Sequence, residues 1–119
     1  MRRLNLTDIH TLSNNEKQAI TLLKERIEHH FKFVKLIMFG SKARGDHNEF
    51  SDVDLMVLVE DPKTAEILEK LSELQFEVIM ELDTPIMSTL ENYRNWLEEK
   101  DISLPLKDNI ESEGIEIEI

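Results

Sequence analysis

The chain has 119 residues, 40% of them hydrophobic and 33% charged, and its 25 acidic against 14 basic side chains give a net charge of −11. That length fits one domain with a modest core, and that composition fits a folded, soluble protein rather than a disordered one. The acidic balance argues against a general nucleic-acid binder, which needs a basic surface to neutralise phosphates. No apolar stretch approaches the roughly 20 residues that cross a bilayer.

Further exclusions come from single residue types. There is no cysteine, so disulfides and thiolate metal sites are ruled out and a cytoplasmic location is the default. Arg2 and Arg3 near the amino terminus are not followed by an apolar run, so the segment does not read as a signal peptide.

In chain order, Ser13-Asn14-Asn15-Glu16 has the form of a capping box, and Ile20, Leu23, Ile27 and Phe31 recur at helical spacing. Residues 14–31 are therefore predicted to be an amphipathic helix. Residues 34–39 are predicted as a buried strand, which the glycine-rich, polar segment 40–51 breaks. Residues 53–59 form a second strand, apolar on both faces from Leu55 onward, as at the centre of a sheet. Asp61-Pro62 opens the next helix, whose stripe of Ile67, Leu68, Leu71, Leu74 and Val78 carries it to about residue 80. Residues 81–88 read as extended: Pro85 fits poorly in a helix, and Leu82, Thr84 and Ile86 alternate with Glu81, Asp83 and Pro85. Residues 89–99, with Leu90, Tyr93, Trp96 and Leu97, are predicted as a short helix, and 105–113 as another, stopped by Gly114. The alternating tail Ile115–Ile119 either adds an edge strand or stays loose. Met38, Met56, Met80 and Met87 read as core filling. The whole reads as a small α/β domain spanning residues 1–119, a short mixed sheet with helices packed mainly on one face.

The chemistry concentrates in residues 40–54. Asp52 and Asp54 are two apart on a strand, so their carboxylates project to one side. Two like charges so placed need a cation to stay ionised together, and an oxygen-only ligand set suits Mg²⁺ or Mn²⁺. Alone, an Asp-x-Asp more often just ends a loop on a solvated face. Gly40 and Ser41 shift that balance, because a glycine at a strand end lets the backbone approach a ligand while N–H groups and the Ser41 hydroxyl bind phosphate oxygens. Arg44 adds a planar donor fork suited to phosphate. Lys42 either helps there or is a solubilising surface group. His47 lies in the same loop, where histidines are more often solvated than ligand-bound. His29 and His30 close the first helix, and adjacent positions point them apart, so a metal pair is not expected there.

Gly40-Ser41, ten residues, Asp52-Val53-Asp54 resembles the nucleotidyltransferase signature without insertion or deletion. The stretch Ser41–Asp46 is closer still to the minimal nucleotidyltransferases, the DNA polymerase β-like domains of about this size. More weakly, Thr84-Pro85-Ile86, the Tyr93/Trp96 segment and Asn109–Ile115 look like the C-terminal half of one branch of that family. The resemblance implies that Gly40, Ser41 and Arg44 bind the triphosphate of ATP or another nucleoside triphosphate. Asp52 and Asp54 would bind Mg²⁺ or Mn²⁺, and a nucleoside monophosphate would pass to an acceptor hydroxyl.

The family places a third carboxylate on a neighbouring strand. Asp83, sharing a predicted strand face with Glu81, is the candidate third catalytic acid, while an alignment that puts Thr84 there leaves the position without an acid. The resemblance also implies a partner, a helical HEPN-type toxin whose tyrosine receives AMP, the chain acting as antitoxin; self-association stays open. Two rivals stand beside this reading. One is a small-molecule, aminoglycoside-type nucleotidyltransferase, which needs a helical substrate domain longer than residues 89–119. The other is a non-catalytic nucleotide-binding or partner-neutralising module.

Overall fold

The computed structural model describes residues Met1–Ile119. The elements run β1 (Arg2–Asn5), a single 3-10 turn (Leu6–Asp8), α1 (Asn14–His30), β2 (Phe33–Phe39), α2 (Ser41–Arg44), β3 (Val53–Val59), α3 (Ala65–Leu82), β4 (Ile86–Asn92), α4 (Tyr93–Glu98), α5 (Leu104–Glu113) and β5 (Ile115–Glu118). The five strands form one mixed sheet in the order β1-β5-β2-β3-β4. β1 is parallel to β5 and β3 to β4, while β2 is antiparallel to both β3 and β5.

α1 starts where the capping box places it. Ser13 Oγ accepts the Glu16 N–H at 3.1 Å, and Glu16 Oε1 accepts the Ser13 N–H at 2.8 Å. Its Ile20, Leu23 and Ile27 meet Leu71, Leu74 and Val78 of α3 over the inward face of β3, where Val53, Leu55, Val57 and Val59 point. The opposite face of β3 presents Met56 and Leu58, covered by Trp96 of α4 and Ile110 of α5. β3 is thus buried on both faces, which explains its unbroken apolar run. The two long helices and the larger core lie on one side, and the two short helices on the other.

Several boundaries differ from the sequence expectations. Asp61-Pro62 does not open α3: Thr64 caps it, its side chain accepting the Ile67 N–H at 3.3 Å, while Asp61 Oδ1 accepts the Lys32 N–H at 2.7 Å. α3 runs to Leu82 because the stripe Leu71, Leu74, Val78 continues one turn to that partly buried side chain. Residues 81–82 are therefore helical, and strand β4 extends to Asn92, where a helix was expected. Leu90 is a buried strand residue, and α4 begins at Tyr93 with Asn92 as its cap. The segment after Gly40 holds the short helix α2 rather than only a loop. Met38 and Met56 are fully buried, but Met80 and Met87 are 67% and 51% exposed and fill no core.

The largest difference lies at the chain ends. Residues 2–5 form the edge strand β1, and the tail is not at an edge: β5 is inserted between β1 and β2. Gly114 permits the entry, since a Cβ there would lie 2.9 Å from Ile37 Cγ2 and overlap the Ile110 carbonyl.

Candidate active site

The register of β2 against β3 builds the site. Phe39, the last residue of β2, pairs with Asp54, so the chain turns at Gly40 directly beside that carboxylate. Gly40 has φ 77° and ψ −159°, and a Cβ on it would run into Asp54 Oδ2, with Asp54 Cγ only 3.2 Å away. Both conformation and space therefore require glycine. The turn leads into α2, whose Ala43 and Arg44 N–H groups both donate to the Gly40 carbonyl at 3.1 Å.

Asp52 ends the loop and Asp54 lies on β3, both half-buried. Burial, and after it the charge of Asp52, raise the Asp54 carboxyl above its ordinary range, while Arg44 pulls the other way. Ionising both carboxylates together is thus unfavourable without added positive charge. A hard divalent cation supplies it, and Mg²⁺ typically takes one or two protein carboxylates and completes its shell from water and phosphate. The donor set present fits that ion.

β4 is the neighbouring strand on the other side of β3, and it carries no acid next to the pair. Its parallel register sets Met87 beside Asp54 and Thr89 beside Met56. The first acid on that face of β4 is Glu91, two positions further and ion-paired with Lys63. No group of three or more His, Cys, Asp or Glu side chains comes together anywhere in the chain in a way that could hold a metal.

Asp83, the expected third acid, is not on a strand. It terminates α3 in the left-handed region, φ 49° and ψ 45°, a conformation aspartate tolerates better than most residues. Glu81 belongs to the last turn of α3, where its carboxylate accepts two hydrogen bonds from Arg26 of α1 at 2.8 and 3.0 Å. The two acids therefore share no strand face with each other or with Asp54. Thr84, the alternative, is buried and donates its hydroxyl to the Leu82 carbonyl at 2.9 Å.

The basic residues of the motif divide. Arg44 stays at the site, where Asp46 and then Glu113, each at 3.1 Å, raise its pKa further. Lys42 is neither a surface group nor free for phosphate. It is 7% exposed and its ammonium pairs with Glu16 of α1, itself 8% exposed. His47 Nδ1 is buried in the motif loop without a hydrogen-bond partner. The sequence marks Glu16 as the closing residue of a capping box but not as the partner of Lys42. Nothing in the local pattern marks a contact 26 positions apart.

Residues 20–115 match the family described as nucleotidyltransferase domain. A protein of Methanocaldococcus jannaschii named "Putative protein adenylyltransferase MJ0141" is 28% identical over 109 residues, covering 92% of this chain and 97% of that protein. Among solved structures, a toxin–antitoxin crystallised with AMP-PNP superimposes with a TM-score of 0.57 at 23% identity, over 87% of this chain and 72% of its own. A mutant of the MntA–HpeT toxin–antitoxin gives the same TM-score at 22% identity and the same coverage.

Proposed function

The chain belongs to the nucleotidyltransferase domain family, and on that premise we propose that it moves AMP from ATP, with Mg²⁺, to a hydroxyl of a protein partner. One observation carries the reading: the β2/β3 register sets the Gly40-Ser41 turn against the Asp52/Asp54 pair. The relative named a protein adenylyltransferase supports AMP as the group moved and a protein as the acceptor. The toxin–antitoxin solved with AMP-PNP has this fold and supports ATP as donor and a toxin as partner. A HEPN-type toxin bearing an acceptor tyrosine is the partner we infer, and the net charge of −11 suits a basic one.

In this reading the Gly40-Ser41 turn and the Ser41 hydroxyl bind phosphate oxygens of ATP, and Arg44 balances their charge. Asp52 and Asp54 would hold Mg²⁺, which would supply positive charge against that developing on the phosphates. The acceptor oxygen attacks the α-phosphorus, the bond to the bridging oxygen of the β-phosphate breaks, and pyrophosphate leaves. The acceptor proton passes to solvent, because Met87 stands where a neighbouring carboxylate would take it. Labelled ATP, Mg²⁺ and the protein encoded next to this one form the test. Label should move to the partner, and EDTA, Asp52→Asn or Asp54→Asn should abolish the transfer. Absence of nucleotide and metal binding would overturn the reading.

A second reading, a module that binds nucleotide and neutralises its partner without turnover, is favoured by the same Met87. It predicts nucleotide binding with no label transferred to any acceptor. A small-molecule nucleotidyltransferase is less well supported, because residues 93–118 go into α4, α5 and β5, which complete the sheet and cover its second face.

A further inference from the structure

We propose that the segment ahead of the family-matching stretch holds the triphosphate-binding turn in place, with Glu16 as its positioning residue. The proposal rests on the reading of Gly40-Ser41 as the phosphate turn. Three separate contacts converge on α2, the four-residue helix that the turn opens. Lys42, adjacent to Ser41, is buried and ion-paired with Glu16. The Thr11 hydroxyl donates to the Lys42 carbonyl at 2.7 Å, and Arg2 Nη2 donates to the Ala43 carbonyl at 2.9 Å. Residues 2, 11 and 16 all precede residue 20, where the match to the family begins.

The energetics make Glu16 the centre of this brace. Its Oε1 accepts the Ser13 N–H in the capping box while its Oε2 faces Lys42, so one carboxylate ties the first turn of α1 to the motif. A buried ammonium left unpaired is costly, so Lys42 follows Glu16 and carries the backbone of the turn with it. The pairing also explains why the lysine of the motif does not project towards the phosphate side. α2 is too short to hold its own place, since four residues close barely one helical turn and contribute little stability alone. The brace supplies the rigidity that a phosphate-binding turn needs, because small misplacements of a binding group cost large factors in affinity or rate.

The test is calorimetry with Mg²⁺ and an ATP analogue that cannot be cleaved between its α- and β-phosphates, on chains shown to be folded by a cooperative melt. Glu16→Gln should weaken analogue binding about tenfold, and Thr11→Val, which leaves the ion pair intact, about threefold. Glu16→Gln keeps an oxygen that can accept the Ser13 N–H, so its loss reads the contact with Lys42 rather than the capping box. If Glu16→Gln does not fold, Thr11→Val decides the matter. Wild-type affinity in folded Glu16→Gln or Thr11→Val overturns the brace alone. Failure of the unsubstituted chain to bind the analogue overturns the nucleotide reading and the brace with it.

Discussion

Asp54 sits where three constraints meet: a glycine turn that touches its carboxylate, a second aspartate on the same face, and partial burial. Burial and the neighbouring charge both disfavour its ionised form, so ionising both carboxylates together is unfavourable without added positive charge. Asp54→Asn should therefore raise the unfolding midpoint in EDTA while abolishing label transfer, as a melt and a transfer assay would show. An equal or lower midpoint would mean that Asp54 stabilises the fold instead. Met87 makes the complementary point. It occupies the β4 position beside Asp54 and is half exposed, so a carboxylate there would lie beside the pair without entering the core. Met87→Asp should tighten Mn²⁺ binding on the order of tenfold, measured by titration against the unsubstituted chain. Unchanged affinity would show that position 87 does not reach the ion.

Between elements, the Glu16–Lys42 pair couples α1 to α2. Burial alone would raise the Glu16 carboxyl, but the Lys42 ammonium and the Ser13 N–H outweigh it and hold the group below its ordinary 4.5. A depressed folded pKa means that this stabilisation is complete above the unfolded value and is lost as pH falls through the folded one. The stability gap between the unsubstituted chain and Glu16→Gln should thus be constant near neutrality and shrink below about pH 4.5, the ordinary value of a glutamate. Denaturant titrations across that range check it. At neutral pH, Lys42→Ala leaves the buried carboxylate unpaired and should cost about 3–5 kcal/mol. The position of β5 gives a sharper test. An edge strand tolerates removal, but β5 joins β1 to β2. Deleting residues 115–119 should abolish cooperative unfolding rather than merely lower its midpoint.

For the whole molecule, a net charge of −11 means that the chain repels itself. Screening should raise its midpoint as NaCl is added at low ionic strength. If the proposed site at the carboxylate pair is correct, Mg²⁺ should do more than NaCl of equal ionic strength. At tenfold above its dissociation constant, the ion should add about 1.4 kcal/mol. The increment over NaCl should vanish in the Asp52→Asn, Asp54→Asn double variant, and its persistence there would place the ion elsewhere. No helix is long and apolar enough to cross a membrane.

The sequence by itself determined the glycine turn, the spacing of the two aspartates and the elements with strong local signals. The Gly-Ser turn and the paired aspartates were legible because fixed spacing and strand alternation act within one short segment. α1, β3 and α5 were legible because a cap, an unbroken apolar run and a proline–glycine pair are local too. Only the tertiary structure decided what depends on pairing between distant segments. It placed β1 at the edge and β5 inside the sheet, and it turned Lys42 inward to Glu16. It also moved Asp83 and Glu81 off the strand face where sequence alternation had set them, because one further apolar turn kept α3 helical to Leu82. Strand register, which no local pattern encodes, set Met87 rather than an acid beside Asp54.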